Sequence, residues 1–409
     1  MLYDAYEVQR SWMAGASRLA GLGAGWLNNP SNPLSYSSMG PVVAAGLGVF
    51  AHANAQRGKP EFGFESTMVG KKSIAVSEEI VLRKPFGQLK HFAKAGVKDQ
   101  PPLLIVAPMS GHYATLLRGT VERMLPGQDV FITDWRDAKL VPVEAGRFDL
   151  DDYVDYLIEF CASVLETTGQ RPHILAVCQP SVPAFAATAI MNADKHPARP
   201  KSLTMMGGPV DTRAAPTAVN TLATQRPHSW FQQNAIATVP MIHSGAGRKV
   251  YPGFLQLAGF MTMNLGNHLI SHWEMFKHLV EGDEEGADAT RDFYDEYLSV
   301  CDMTAEFYLQ TVAVVFQRHL LPRGEYMHRG KLVDAAAIRD TALLAIEGER
   351  DDISGIGQTR SALELATRLS PGKKQYHLAK DVGHYGIFNG RKWREAIAPV
   401  VEKFIAAND

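Results

Sequence analysis

The stretch that most constrains the fold is His173–Pro183, with the sequence HILAVCQPSVP. It begins with an apolar run typical of a buried strand, continues through Cys178, and leads into small residues that predict a tightly packed helix. A nucleophile at a sharp turn between strand and helix is the layout of a nucleophile elbow, where strand and helix crowd together. Ala176 and Pro180 stand where such elbows usually carry glycine; alanine is small, and proline is tolerated where a helix begins. The alternative is a buried structural cysteine, the common role of a free thiol.

Short apolar runs alternate with helical patterns on both sides of this stretch. The predicted strands are Pro102–Ala107, Asp129–Trp135, His173–Val177, Ser202–Met206, Ala342–Ile346 and Gln375–Leu378. Ser73–Arg83 and Gly87–Phe92 alternate with a period of two, which predicts a strand pair before this series. Strands alternating with helices are typical of a doubly wound, mostly parallel sheet that is covered on both faces.

The interval 211–340 interrupts this rhythm, with helical patterns, many aromatic residues and no clear strand. It is expected to form an inserted helical cap over the carboxyl ends of the strands, where ligand sites form in open α/β sheets. We expect both ends of the cap to meet at that edge. The predicted parts are an N-terminal helical segment (1–70), the first part of the core (71–210), the cap (211–340) and the second part of the core (341–409).

The N-terminal segment has two apolar patterns. Residues 1–30 predict an amphipathic helix. Met39–Ala51 is too short to span a bilayer and too internal for a signal peptide, so we expect no transmembrane segment. A packed core helix is the favoured interpretation of this run, and contact with an apolar partner is the alternative.

Charge and cysteine usage narrow the function classes. The net charge of −2 gives no support for nucleic-acid binding. Three cysteines at wide spacing argue against a disulfide framework and indicate a reducing, cytoplasmic compartment. His268 and His272 are four residues apart but lack the glutamate of a metalloprotease motif. We therefore expect neither a metal nor another cofactor.

Candidate partners for Cys178 follow the later strands. A cysteine hydrolase needs a base, an acid that orients it, and oxyanion donors. Asp351 and Asp352 follow the strand ending at Ile346, and His384 lies between glycines after the last strand. This order of nucleophile, acid and histidine is that of an α/β-hydrolase sheet. Asp211, after an earlier strand, is the alternative acid.

The oxyanion donors are expected in the loop after the strand Pro102–Ala107. Backbone N–H groups of Met109 or Ser110, together with that of Gln179, would point at the developing alkoxide. The sequence leaves open which of the two loop residues donates. It also leaves open whether His112 binds substrate or only fills the loop.

Seven motifs together resemble one family over nearly the whole chain. They are MLYDAYEVQR, VAPMSGHYATLLRGTV, FITDWRDA, VCQPS, WFQQNAIATVPMIHSGAGRKVYPGF, EGERDDISG and GHYGIFNGRKWR. The sequence resembles the intracellular polyhydroxyalkanoate (polyhydroxybutyrate) depolymerases, whose catalytic motifs are shared with polymer synthases. The stretch Trp230–Phe254 is similar to the depolymerases specifically. The resemblance implies an α/β-hydrolase fold and a triad of Cys178, Asp351 and His384. Asp351 is preferred to Asp352 because in similar sequences the acid lies two residues before isoleucine.

The implied activity is hydrolysis of polyester granules to 3-hydroxyacid oligomers or monomers through a thioester on Cys178. Coenzyme A is an alternative acceptor to water, because a thioester is open to attack by another thiol. Trp230, Phe231, Tyr251 and Phe254 are expected to guide the apolar chain, with plain packing as the alternative.

Two other functions remain as alternatives to a depolymerase. One is a synthase-type acyltransferase that uses the same three residue types, and the other is a non-catalytic granule-associated protein. We expect a cytoplasmic protein at polyhydroxyalkanoate granules, bound to polymer or oligomer, and we leave a homodimer open.

Overall fold

The computed structural model describes residues 2–37, 39–263, 273, 275–280 and 294–409. Its strands are β1 (Ser66–Val69), β2 (Lys72–Arg83), β3 (Gly87–Lys94), β4 (Pro102–Val106), β5 (Asp129–Trp135), β6 (His173–Val177), β7 (Ser202–Met206), β8 (Ala237–Thr238), β9 (Lys249–Tyr251), β10 (Met303–Thr304), β11 (Met327–His328), β12 (Lys331–Leu332), β13 (Ala342–Gly348) and β14 (Lys374–Ala379).

Its α-helices are α1 (Leu2–Asn28), α2 (Gly40–Ala53), α3 (Arg118–Met124), α4 (Leu150–Thr168), α5 (Ser181–Ala193), α6 (Ala218–Gln225), α7 (His228–Asn234), α8 (Gly253–Met263), α9 (Ala305–Thr311), α10 (Ser361–Leu365), α11 (Gly390–Lys392) and α12 (Ala398–Ala407). Short 3-10 turns include Ala114–Leu117 and His384–Ile387, and π-helical turns span Val312–Gln317 and Trp393–Ile397.

Nine strands form the central sheet in the order β1-β2-β3-β5-β4-β6-β7-β13-β14. The first three strands pair antiparallel, β3 is antiparallel to β5, and every later pairing is parallel. Strands β4, β6, β7 and β13 are buried along their whole length, as expected when helices cover both faces. This is an α/β-hydrolase fold, and the predicted fold class is confirmed.

Helix α4 shows why the sequence builds the layer over the sheet. The Asp149 carboxylate accepts the N–H of Asp152 in a capping box, and Gly169 in a left-handed conformation ends the helix. Its buried face presents Tyr153, whose ring stacks on Phe307 of α9 with centroids 5.3 Å apart. Helix α9 therefore packs on the core although it lies within the interval 211–340.

The interval 211–340 leaves the sheet at the carboxyl ends of the parallel strands and returns at their amino ends. The Asp211 N–H donates to the Gln358 carbonyl beyond the carboxyl end of β13. Asp340 pairs instead with Arg199, before the amino end of β7. The expectation that both ends meet at the carboxyl edge is wrong, because parallel neighbours such as β7 and β13 require the chain to cross back.

Strands inside this interval are too short to leave a periodic pattern in the sequence. Strands β8, β9 and β10 form a small antiparallel sheet, and β11 pairs with β12. None of these five strands joins the central sheet, so the described part of the interval adds small separate sheets to its helices.

The N-terminal residues form a helical hairpin, α1 and α2. The predicted helix over residues 1–30 is confirmed, and the Ser17 hydroxyl joins the two helices by donating to the Ala51 carbonyl at 2.7 Å. None of the helices in the described parts of the chain combines the length and apolar character needed to cross a bilayer.

Candidate active site

Cys178 lies at a strained turn between β6 and α5. Its φ of 66° is in the left-handed region, which a residue with a side chain seldom adopts. Its N–H donates to the Met206 carbonyl of β7 at 2.7 Å, and its carbonyl accepts the Ser181 N–H at 3.0 Å where α5 begins. Bonds on both sides hold the turn, so the thiol is presented at the carboxyl edge of the sheet, as in a nucleophile elbow.

Two glycines after β7 make room for this turn. A Cβ at Gly208 would overlap the Ser181 side chain and lie 3.0 Å from the Cys178 carbonyl oxygen. A Cβ at Gly207 would lie 3.2 Å from both Asp351 Oδ2 and His384 Cε1. The crowding that usually demands glycine within the elbow is therefore relieved partly by the neighbouring strand end.

His384 and Asp351 form a buried hydrogen-bonded pair. The His384 Nδ1 donates to Asp351 Oδ2 at 2.8 Å, and the Asp351 side chain has no solvent exposure. Asp351 Oδ1 accepts the N–H groups of Ile353 (2.9 Å) and Ser354 (2.8 Å). The loop that follows β13 thus holds the carboxylate, which in turn fixes the ring orientation and leaves Nε2 to face Cys178.

Opposing effects act on the pKa of His384. Burial alone lowers it, but the negative charges of Cys178 and Asp351, and hydrogen bonds to both, raise it well above its usual value. The imidazolium form is therefore favoured when Cys178 is a thiolate. A protonated His384 can then act as a general acid towards a leaving group.

The other two candidate acids occupy different surroundings. Asp211 pairs with Arg213 at 2.8 Å, and this guanidinium lowers the pKa of the Asp211 carboxyl. Asp352 is exposed. Of the three aspartates, Asp351 is the one hydrogen-bonded to His384.

The loop after β4 reaches the elbow through Gln179. The Met109 N–H donates to Gln179 Oε1 at 3.1 Å. Met109, Ser110 and Gln179 line the same cavity as Cys178. The three candidate oxyanion residues therefore lie at the site, and the side chain of one binds the backbone of another.

The cavity around Cys178 has a volume of about 400 Å³ and mostly apolar walls. Beyond the residues already named, it is lined by Pro209, Ala218, Val219, Leu222, Ala223, Phe231, Tyr251, Gln256, Gly259, Met303, Tyr308, Thr311, Val312, Phe316, Ile353 and Ser354. The Tyr251 and Tyr308 rings lie 4.1 Å apart, and burial raises the pKa of Tyr251 to about 12. Most of the wall thus comes from the interval 211–340.

Three of the predicted substrate contacts lie outside the lining of the Cys178 cavity. Trp230 meets Phe231 edge to face with centroids 5.1 Å apart, and Phe254 stacks on Tyr6 of α1 at 3.8 Å. His112 is buried beside Tyr297, and burial lowers its pKa to about 4. Within the described part of the chain, Trp230, Phe254 and His112 are not among the residues lining the Cys178 cavity.

The three thiols differ in environment. Cys178 is half-buried, whereas Cys161 and Cys301 are fully buried. Burial raises the pKa of Cys161 to about 12, and that of Cys301 well above its usual value. Only a thiol that ionises is a good nucleophile, so neither buried cysteine suits that role.

Metal ligation has no support in the described ranges. They contain no group of three or more His, Cys, Asp and Glu side chains placed to hold an ion. His268 and His272 lie outside the described residues.

One supporting residue was missed by sequence reasoning. The buried Glu347, at the end of β13, accepts the N–H groups of Gly357, Thr359 and Arg360 and the Tyr376 hydroxyl. Thr359 in turn bonds both backbone groups of Gly208. Glu347 therefore ties the end of the acid loop to the strand end beside the elbow. A glutamate inside an apolar strand was the available signal.

Solved structures similar to this chain include several hydrolases. A monoacylglycerol lipase from Paleococcus ferrophilus is 13% identical, with a TM-score of 0.43, over 76% of this chain and 97% of that one. A thermophilic esterase from Thermogutta terrifontis is 13% identical, with a TM-score of 0.42, over 87% of this chain and 99% of that one. The 2-hydroxy-6-oxo-6-phenylhexa-2,4-dienoate hydrolase of Rhodococcus sp. strain RHA1 is 12% identical, with a TM-score of 0.44, over 81% of this chain and 99% of that one.

Sequence comparison gives a more specific result. None of the curated proteins matches the chain. Residues 207–409 match the family model described as "PHB de-polymerase C-terminus". The matched part begins directly after β7 and contains Asp351, His384 and most of the cavity wall.

Proposed function

The chain belongs to the polyhydroxybutyrate depolymerase family, and from this premise we propose that it hydrolyses polyhydroxybutyrate or a related polyhydroxyalkanoate through Cys178, His384 and Asp351. Family membership supports ester hydrolysis as the reaction class. The observation that most supports the choice of residues is the His384–Asp351 hydrogen bond of 2.8 Å beside the strained Cys178 turn.

The first half-reaction transfers the acyl group to sulfur. The His384 Nε2 takes the Cys178 proton, and the thiolate attacks the ester carbonyl carbon. The tetrahedral intermediate then collapses, the C–O bond breaks, and His384 gives its proton to the departing alkoxide. The products are a hydroxyl chain end and an acyl thioester on Cys178. Asp351 stabilises the imidazolium without taking its proton.

The second half-reaction releases the acid. His384 takes a proton from water, the hydroxide attacks the thioester carbonyl, and the C–S bond breaks. The proton returns from His384 to the Cys178 thiolate. Coenzyme A is the alternative acceptor: its thiol would enter by the same proton transfer and leave as a 3-hydroxyacyl thioester.

The N–H groups of Met109 and Gln179 are our preferred oxyanion donors. The Gln179 side chain accepts from the Met109 N–H at 3.1 Å. This bond keeps a buried donor satisfied and anchors its loop before substrate arrives. A developing oxyanion, being charged, is a stronger acceptor than a carboxamide oxygen and would take its place.

The substrate path is proposed to run along the apolar cavity formed largely by residues 211–340, which we regard as the cap. Phe231 and Tyr251 line this cavity and are our leading substrate contacts. Trp230, which packs on Phe231, would act by holding that ring in place. A polyester made of short hydroxyacid units is largely apolar, which suits such walls.

A two-substrate assay tests the function. Purified protein is given amorphous poly(3-hydroxybutyrate) with and without coenzyme A, and separately 3-hydroxybutyryl-coenzyme A. Release of 3-hydroxybutyrate or its oligomers supports a depolymerase, and a coenzyme A thioester product would identify the acceptor. Polymer formation from the thioester would favour the acyltransferase instead. No turnover of either substrate would contradict the proposal and favour a non-catalytic granule protein.

A further inference from the structure

The first helix turns its large apolar side chains outward. Six positions at alternating spacings of four and three follow one face; five hold exposed apolar residues, and the third holds Gly15. This apolar stripe consists of Val8, Trp12, Leu19, Leu22 and Trp26. Trp12 is 77% exposed, and Leu19 and Leu22 are each 72% exposed. A helix in a helical hairpin normally turns such a face inward, but the described part of the chain leaves this stripe exposed.

From Ala14 onward, the buried positions of α1 hold only small residues. Its buried positions include Ala14, Ser17 and Ala24, and the matching buried positions of α2 include Ala44 and Ala45. Small side chains let the helices approach closely while the large ones stay outside. The hairpin is therefore held by close packing and leaves its most apolar surface available.

The exposed apolar surface continues beyond α1. Leu34, Tyr36 and Met39 in the connection are 49%, 78% and 64% exposed, and Val43 and Phe50 of α2 are 44% and 39% exposed. Exposed apolar residues in such number on one hairpin mark an interaction site.

The charge of the hairpin indicates what kind of surface it binds. From Ser11 to Gln56 the sequence has one Lys, Arg, Asp or Glu residue, which is Arg18. Helices that bind anionic bilayers have a polar face rich in lysine and arginine. The hairpin therefore suits an uncharged apolar surface.

The extent of the stripe excludes a small ligand. From Val8 to Trp26 it covers 19 helical residues, and the 18 steps between the first and the last span about 27 Å at 1.5 Å per residue. That length fits an extended surface, with a tryptophan near each end. Tryptophan favours such boundaries because one edge of its ring is polar.

The hairpin is also attached to the wall of the active-site cavity. Tyr6 of α1 stacks on Phe254 of α8 at 3.8 Å. Gln256 and Gly259 of the same α8 line the Cys178 cavity. The hairpin that carries the stripe is therefore packed on the element that forms one wall of the cavity.

We propose that the apolar stripe, with the exposed residues of the connection and α2, docks the protein on the surface of amorphous polyester. This inference rests on the proposed function, because it takes the insoluble substrate itself as the partner. Docking by the hairpin holds the cavity at the polymer surface while the catalytic residues work elsewhere in the fold.

Sedimentation with protein-free amorphous poly(3-hydroxybutyrate) particles tests the docking. The stripe variant carries Trp12→Gln, Leu19→Gln, Leu22→Gln and Trp26→Gln, since glutamine keeps the helix propensity. Loss of four large apolar contacts is expected to weaken particle binding about a hundredfold or more. Hydrolysis of a short soluble 3-hydroxybutyrate ester should stay within about twofold of wild type, because the cavity is unchanged. The matched control replaces exposed apolar residues outside the hairpin by Met68→Gln, Ile80→Gln, Leu140→Gln and Leu332→Gln, and should bind normally.

Two substitutions at Gly15 provide a second test of docking without removing any apolar residue. A side chain at Gly15 would meet no atom within 4 Å, so it points into open space. Gly15→Glu places a charge in the middle of the stripe and should weaken particle binding about tenfold, since a carboxylate resists desolvation. Gly15→Ala should bind as well as wild type.

Three results would overturn the docking proposal, and a fourth would separate it from the proposed function. Wild-type particle binding by the stripe variant would overturn the proposal. So would equal binding of wild type to uncharged phospholipid vesicles, or a wild-type dimer that the stripe variant converts to monomers without losing particle binding. If wild type binds particles through the stripe but hydrolyses no polyester, the docking stands and the proposed function fails.

Discussion

The elbow and the N-terminal hairpin both depend on small residues, with opposite results. At the elbow, Gly207 and Gly208 let a strand end press against Cys178 and the His384–Asp351 pair, and the functional groups point inward. In the hairpin, alanines let two helices pack closely, and the large side chains point outward. Small residues therefore mark close backbone contacts in both regions. What differs is the direction of the larger side chains, which point into the catalytic site at the elbow and towards solvent in the hairpin.

Removing the thiol is expected to have the largest effect, and it should separate the elbow from the hairpin. Cys178→Ala is expected to lose hydrolysis of both soluble ester and polymer by several orders of magnitude, because acyl transfer has no nucleophile. Particle binding should remain, since it belongs to the hairpin. Cys161→Ala and Cys301→Ala are the controls and should keep activity, which steady-state kinetics on the soluble ester will measure. Normal turnover by Cys178→Ala would remove the elbow from the mechanism.

The acid is tested by comparing three asparagine variants. Asp351→Asn should lower kcat about 10³-fold or more, because the amide cannot hold His384 in the reactive tautomer. Asp211→Asn and Asp352→Asn should stay within about threefold of wild type, since neither residue bonds the ring. The largest loss at Asp211 would assign the acid to the β7 side of the site.

Glycine-to-alanine changes in the two regions should have opposite signs. Gly208→Ala is expected to lower the free energy of unfolding by about 1–3 kcal/mol, because its Cβ overlaps Ser181. Gly15→Ala should raise it by about 0.5–1 kcal/mol, because alanine favours the helix and the site is open. Denaturant unfolding measures both. A neutral Gly208→Ala would mean that the elbow is less crowded than described.

Cavity aromatics should show the smallest effect. Tyr251→Ala is expected to lower polymer hydrolysis about tenfold more than short-ester hydrolysis, because only a long chain uses the apolar wall beyond the triad. Tyr308→Ala, which removes the neighbouring ring, should behave in the same way, whereas Met241→Ala on the exposed surface should not. Equal losses on the two substrates would mean that Tyr251 supports the geometry of the site.

The sheet was predictable because its strands are buried apolar runs, and the order of Cys178, Asp351 and His384 along the chain placed each candidate after a strand. Strands β8 and β9 could not be predicted from the sequence, because strands of two or three residues leave no periodic pattern. The contact between Gln179 and Met109 depends on two distant loops, so no local pattern encodes it. Periodicity likewise located an apolar face on α1, but it does not tell whether a neighbour covers that face.

The proposed acyl thioester on Cys178 can be trapped and identified. Wild type is mixed with an activated 3-hydroxybutyrate ester, quenched in acid within milliseconds, digested and analysed by mass spectrometry. We expect one 3-hydroxybutyryl group on the peptide that contains Cys178, removed by hydroxylamine and absent from Cys178→Ala. An acyl group on Ser110 or Ser181, with Cys178 unmodified, would contradict it.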